Sequence, residues 1–453
     1  MQCKLKSHNE VISLTVSRLF LYHQCKLVLA QDYEGSKYFL VFHKDQFIHA
    51  LKLDKLKPHH FLDRARRAGL SIPGNQPVIR ALLNQKTFNH LSINQLKHKF
   101  KLHQGNPNID QVIIQSYFDQ VLPTNDIVHA FKQCFLAYRR NGNMQKAYQV
   151  LLALKVYQPD NSFAKDMLTS VDFQRYHHDY TDPNQLKFID PYFYEQQCYH
   201  PLNIDQLSHF LKEQNRQIDL AILATYRLTT TFSSDSWEIY QSFLNLCPSN
   251  QQLIALAQLL KLNPSLLQHD IFAKAILARS SADQYVKIVT RRQYPHPIDN
   301  EAFVEAIAQA SPTTKRALLA KQERLIAITK SLSAHDIEQI IKPILASALE
   351  SESMDSLMDW LEPFDQQSLL KLHHILAKIK QLKDDPDHQL ELADLYLSFN
   401  QLEPAINCLK WELELNPANE KALKQLITLL KQDNKNHEAD AYQEQLIQLT
   451  KYH

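Results

Sequence analysis

Three His-Asp dipeptides, His178-Asp179, His269-Asp270 and His335-Asp336, are the first places to look for chemistry in this 453-residue chain. Such a step can offer two ligands to a hydrolytic metal, but a working site needs a further upstream His and a downstream Asp around the same ion. With 22 histidines in the chain, dipeptides of this kind arise by accident, and Ser333 accounts for one of them as a helix cap. Residues 173–200 form a denser cluster, with eight aromatics interleaved with His177, His178, Asp179, Asp182, Cys198 and His200. Its spacing matches no standard zinc pattern, and adjacent imidazoles diverge. The alternatives to a metal nest are an aromatic packing insert and a partner-binding surface built on Tyr176, Tyr180, Tyr192, Phe193 and Tyr194, because binding hot spots favour aromatics. No H-E-x-x-H or G-x-S-x-G is present, and no catalytic residue, cofactor or metal is assigned.

A third group is basic. Arg64, Arg66 and Arg67, with Lys97, Lys99 and Lys101, could contact phosphates or an acidic partner, and they equally fit a solvated surface. They lie where charge is unbalanced: residues 1–105 hold 17 Lys and Arg against 6 Asp and Glu, whereas the rest holds 33 against 42. This asymmetry suggests a basic module joined to an acidic one, with nucleic acid, a protein or the chain's own acidic part as its counterpart. Phosphate contacts of this type give salt-dependent affinity without reading bases.

Glycine narrows the chemistry further. Only Gly35, Gly69, Gly74, Gly105 and Gly142 occur, none of them beyond residue 142. Phosphate-cradling loops need glycine for close backbone approach, so nucleotide turns are excluded from the C-terminal two thirds. The first third lacks G-x-x-x-x-G-K and G-x-G-x-x-G. The longest N-terminal apolar candidate, residues 13–30, is interrupted by Arg18, His23 and Lys26, so neither a membrane span nor a cleavable signal is expected. Six scattered cysteines without a C-x-x-C pair suggest buried free thiols in a reducing compartment, here the cytoplasm.

The elements that must position these residues change character along the chain. Residues 26–53 read as a small β-meander of runs 26–30, 37–42 and 46–53, although the third run also suits a helix start. Pro58 opens a helix that Gly69 caps in the left-handed conformation, and the sheet is expected to end there. Residues 94–103 form a second basic stretch before a Gly-Asn-Pro-Asn break near 105. Beyond Asp110, apolar residues recur at i, i+3, i+4 and i+7 between Asn, Pro, Asp and Ser, predicting amphipathic helices to the end. Ser281, Asp299, Ser333 and Ser351 read as helix starts.

Two distant segments correspond: Tyr138, Ala147 and Pro159 share their spacing with Tyr396, Ala405 and Pro417. A small Ala lets two helices approach closely, the Tyr fills the gap, and the Pro stops the second helix. Leu392-Ala393-Asp-Leu-Tyr396, then Ala405 to Leu409 and Pro417, resembles the tetratricopeptide repeat, and Ala439 follows Ala405 at its 34-residue period. The glycine slots hold Ala393 and Phe135, the tryptophan slots Gln389 and Phe131, and Leu151 and Leu409 stand where Phe is usual. The resemblance covers about 128–161 and 386–446. Between them the register fails, leaving either degenerate repeats or an unrelated helical domain.

The expected fold is mostly α, an irregular α-solenoid of helix hairpins with a small N-terminal α+β module. Its expected parts are a basic module over 1–105, repeat-like helices over 106–170, a degenerate repeat or helical domain over 171–380, and a C-terminal repeat block over 381–453. The resemblance implies a non-catalytic scaffold that binds a protein or peptide in a groove lined by first-helix side chains, near Asn400, Asn407 and Lys410. The alternatives are a regulator binding nucleic acid through 1–105 and, because His269-Asp-Ile-Phe-Ala-Lys superficially resembles the HD phosphohydrolase signature, a metal-dependent hydrolase.

Overall fold

The computed structural model describes the chain apart from residues 8–9, 85–86, 90–91, 103–107, 200, 292–299, 331, 365 and 453; for a few others, Lys97, Lys99 and Lys101 among them, only the backbone is described. Two compact units result, Met1–Asn263 and Pro264–His453. The division falls at none of the expected boundaries, 105, 170 or 380.

In the N-terminal unit the strands are β1 (Gln2–Ser7), β2 (Glu10–Tyr22), β3 (Cys25–Gln31), β4 (Lys37–His43), β5 (Gln46–Lys52), β6 (Leu70–Pro73) and β7 (Thr87–Asn89). The expected meander is β3 to β5. The expectation that the sheet ends there is corrected: seven strands take part, in the order β5-β4-β3-β2-β1-β7, with β6 also on β2. β2 is long because its two halves do different work. In its first half Leu14 and Val16 are buried while Ser13 and Thr15 face water, the alternation of a half-buried strand. After an irregularity between Val16 and Arg18, the run Leu19 to Tyr22 is buried on both faces. β1 pairs with the first half and β6 with the second. The apolar stretch around Arg18, His23 and Lys26 is thus a hairpin that turns at His23, whose φ is +54°.

The sheet curls until its ends meet. Phe88 of β7 packs against Phe47 of β5 at 4.7 Å between ring centroids, and against Phe42 of β4 at 5.7 Å. Two glycines permit this tight wrapping. Gly69, after the helix Phe61–Ala68, has φ −76°, so left-handed capping is not its role. A Cβ there would lie 2.3 Å from the Ala65 carbonyl oxygen and 3.0 Å from that of Leu21, so glycine lets the helix end close onto β2. At Gly74 a Cβ would sit 2.2 Å from the Val16 carbonyl oxygen.

The basic module is not a separate body. One continuous buried cluster runs from Cys3 and Leu5 through Phe118, Phe135 and Leu151 to Leu207 and Leu223. Sheet and helices share a core.

Helix hairpins of one kind recur in both units. The pairs are Thr124–Arg140 with Met144–Tyr157, Ile204–Glu213 with Gln217–Leu228, Gln389–Ser398 with Leu402–Leu415, and Glu420–Gln432 with Asn436–Tyr452. Each turns on one left-handed residue: Gly142, Asn215, Asn400 or Asn434. The next N–H closes back by five residues, Asn143 to Tyr138 O at 2.9 Å, Arg216 to Leu211 O at 3.0 Å, Gln401 to Tyr396 O at 3.1 Å and Lys435 to Leu430 O at 2.9 Å. Asparagine tolerates this conformation, which is how a glycine-free stretch still turns. Ala147, Ala405 and Ala439 are buried at the hairpin crossings, as are Leu392, Ala393 and Leu409, while Tyr138 and Tyr396 are half-buried. Pro159 and Pro417 each directly follow the residue that caps the second helix, Gln158 and Asn416. The hairpin at Asn215 lies where the sequence register was lost.

Ser281 and Ser333 cap helices as expected, but the start expected at Ser351 is at Ser353, whose side chain accepts from the Ser356 N–H. Asp299 and Gly105 lie outside the described residues.

Replacing Gly74 by Ala drives a methyl into β2 backbone, with an expected cost of about 2 kcal/mol or more. Gly35→Ala, where φ is +86° and the surroundings are open, should cost about 1 kcal/mol. Urea midpoints of the two variants check the order; equal losses would contradict the close approach.

Candidate functional site

The turns of the β2–β3 and β4–β5 hairpins lie side by side, with the Lys44 N–H donating to the Gln24 carbonyl at 2.7 Å. Both turns use left-handed residues without glycine, His23 and Lys44. Just past the first turn, Lys26 is wholly buried in β3. An isolated ammonium there would be prohibitively costly. Its Nζ instead reaches Asp219 Oδ1 at 2.5 Å, Asp45 Oδ1 at 2.9 Å and the Lys44 carbonyl at 2.5 Å. Two carboxylates and one carbonyl thus surround the ammonium.

Asp219 is shared. Its Oδ2 accepts from Arg216 Nε at 2.6 Å, and Arg216 Nη1 meets the buried Glu195 at 2.5 Å. The left-handed Asn215 sets Arg216 at the start of its helix, three residues before Asp219. Burial pushes the Glu195 carboxyl up and Arg216 pulls it back. Burial opposes the Arg216 charge, yet Glu195 and Asp219 more than offset it and hold the guanidinium as a cation. At the end of β4, His43 Nδ1 lies 3.1 Å from the Tyr117 hydroxyl. Burial pushes its imidazole down to about 4, against the pull of Asp110, so it is neutral at pH 7.

Next to this network a cleft of about 600 Å³ opens between the strand turns and the helices. Five of its 17 lining residues are carboxamides, Gln24, Asn143, Gln145, Gln149 and Gln214, beside apolar residues such as Ile109, Ile113 and Ile189 and the charged Lys44, Asp110, Lys146, Asp190 and Arg216. Gln149 donates to the Ile189 carbonyl at 2.6 Å and Asn143 accepts from the Lys146 N–H. Among the described residues the side chains of Gln24, Gln145 and Gln214 form no hydrogen bond with a group lining the cleft. Phe188 stands at the wall 75% exposed. Of the charged lining groups, Lys44 faces Asp110 at 3.7 Å and Arg216 is neutralised below. Asp190 caps the helix Pro191–Cys198, accepting from the Phe193 N–H at 3.0 Å and from the Tyr180 hydroxyl at 2.9 Å. Burial raises its carboxyl. Lys146 has no carboxylate partner among the described residues.

The aromatic insert is mostly consumed in packing. Tyr176 and Tyr180 lie 5.8 and 5.0 Å from Tyr148, Phe193 lies 5.6 Å from Tyr180, and Tyr194 lies 5.0 Å from Phe210. Of the five aromatics expected to bind a partner, Tyr192 alone lines the cleft. His177 and His178 face solvent, Cys198 is buried, and His200 lies outside the described residues. Among the described residues no three His, Cys, Asp or Glu side chains gather as metal ligands. His269 and Asp270 begin the helix Asp270–Leu277, and Asp336 hydrogen-bonds the capping Ser333.

Of the arginines expected to contact phosphate, Arg66 and Arg67 are exposed and Arg64 is half-buried. Arg66 and Arg67 both hold the buried Asp63, at 3.5 and 2.9 Å, and Arg64 donates to the Val156 carbonyl at 3.4 Å. The side chains of Lys97, Lys99 and Lys101 lie outside the described residues. In the C-terminal unit, Asn400 is the left-handed turn residue of its hairpin, Lys410 pairs with Glu438 at 2.7 Å, and Asn407 is exposed.

Sequence reasoning missed Lys26, Glu195, Arg216, Asp219 and the carboxamides. A signal existed for Lys26: a lone cation inside an apolar strand demands a buried counter-ion.

No family model matches the chain, and no curated protein matches it. Among solved structures, the complex of Naa15 and Naa10 bound to HypK-THB is similar at 13% identity and a TM-score of 0.22. The match covers 81% of this chain and 56% of that one, so the chain spans little more than half the length of its neighbour. A TM-score of 0.22 aligns helices without a common path and assigns neither fold nor partner.

His43 makes stability pH-dependent. Its folded value, about 4, lies below the ordinary 6.5, so the unfolded chain binds the proton first. The contribution is complete above about pH 6.5 and falls away as pH drops toward 4, by on the order of 3 kcal/mol. His43→Gln keeps a polar partner for Tyr117 without titrating. Urea denaturation at pH 7 and pH 4.5 should show wild type losing clearly more stability than the variant; equal losses would contradict a neutral buried imidazole.

Proposed function

We propose that the chain is a non-catalytic interaction scaffold that binds a protein or peptide partner, and that the partner enters the cleft of the N-terminal unit. The observation that carries this reading is the chemistry of the wall. Its carboxamides are neutral, paired donors and acceptors, suited to recognition and unsuited to moving protons. A general acid or base needs a proton site free to face the ligand. Of the titratable groups around this cleft, Asp190 is committed to a helix cap and Tyr180, Glu195 and Asp219 to Arg216, and His43 to Tyr117, while Lys44 and Asp110 face each other half-exposed and Lys146 has no carboxylate partner among the described residues.

The helical hairpins serve this role as supports, each fixed by its crossing residue and its left-handed turn. Six buried free cysteines suit a reducing compartment such as the cytoplasm. No helix among the described residues is long and apolar enough to cross a membrane.

Tagged full-length protein, wild type and a Gln145→Glu/Lys146→Glu variant, tests the reading by quantitative capture from the source cells. Both substituted residues are exposed, so the thermal midpoint should not move. At least one protein should be recovered with wild type and fall about tenfold with the variant, the effect of losing about 1.4 kcal/mol. Identical recoveries would remove the cleft from partner binding.

A further inference from the structure

We infer that the cleft takes an extended peptide segment through its main chain, with an acidic side chain of that segment set against Lys146; the inference rests on the scaffold reading above. A side-chain carboxamide carries the same donor and acceptor pair as a peptide unit. Gln24, Gln145 and Gln214 bring three such pairs to one concavity, from a strand turn, a helix start and a helix end, and leave them without hydrogen bonds to the wall. Gln24 is 7% exposed, whereas Gln145 and Gln214 are exposed. Groups that converge from separate elements on an open volume mark a binding site rather than a solvated surface.

The occupant's form follows from geometry and charge. A helical segment bonds its own main chain internally, whereas an extended one leaves N–H and C=O groups for the carboxamides. Lys44 faces Asp110, Arg216 is held by Glu195 and Asp219, and Asp190 is engaged by its helix cap and the Tyr180 hydroxyl. Lys146, whose ammonium lies 5.6 Å from the Tyr138 ring centroid and has no carboxylate partner among the described residues, is the lining cation open to an acid. Phe188, 75% exposed, offers an apolar surface to a neighbouring side chain.

The test uses full-length protein and a random heptapeptide phage library, with a Gln145→Ala/Gln214→Ala variant in parallel; both positions are exposed, and an unchanged thermal midpoint confirms the fold. The expected result is enrichment of peptides carrying Asp or Glu, with affinity of a synthesised winner at least about tenfold weaker for the variant. N-methylation of the winner at single backbone nitrogens should weaken it comparably, which side-chain recognition alone would not produce. Three results would overturn the inference: no enrichment above bare matrix, enrichment indifferent to the variant and to N-methylation, or displacement of the peptide by maltohexaose, which would make the amide wall a carbohydrate site. If cellular partners still depend on the cleft while no heptapeptide is enriched, the scaffold reading stands and the extended-peptide inference falls.

Discussion

Lys26 is the constraint on which the N-terminal unit depends. A fully buried ammonium in a central strand cannot persist without counter-charge, and its own sheet supplies only the exposed Asp45. The second carboxylate, Asp219, comes from the first turn of the helix Gln217–Leu228, and it arrives held by Arg216 and, through it, by Glu195. A buried pair of this kind adds little net stability over apolar packing, but removing one partner costs on the order of 3–5 kcal/mol. Its contribution is therefore register: it fixes which helical turn faces which strand.

The cleft is a consequence of that register. With Asn215 and Arg216 held over the β2–β3 turn, Gln214 and Gln24 come to one concavity, and the hairpin turning at Gly142 brings Asn143 and Gln145 to the opposite wall. Nearly every charge at the junction is consumed in holding it together. Toward solvent the cleft presents amides, Lys146, Phe188 and the half-exposed Lys44–Asp110 pair, a surface suited to recognition.

Much of this was legible in the residues, and the failures have physical reasons. β3 to β5 announced themselves through the Asp32–Gly35 turn and dense β-branched and aromatic runs. β1 and the first half of β2 hid because Lys4, Lys6, Ser13 and Thr15 dilute their apolar content, and the hairpin at His23 uses a residue that seldom adopts positive φ. The repeat was visible where Tyr and Ala mark the crossing and invisible where Leu211 and Leu220 replace them, although Asn215 kept the turn. The aromatic insert stood out in sequence, but its packing and docking members could not be told apart there, since bulk that packs a core looks the same in sequence as bulk that docks a partner. Glutamine carries almost no signal, so its convergence from three elements appeared only in the fold.

Hydrogen exchange of Lys26→Met, followed peptide by peptide, tests the central claim most directly. If Lys26 ties the sheet to the helices, protection should fall together in β3, β4 and the helix Gln217–Leu228, with the C-terminal unit unchanged. Loss confined to β3, with Gln217–Leu228 as protected as in wild type, would contradict it.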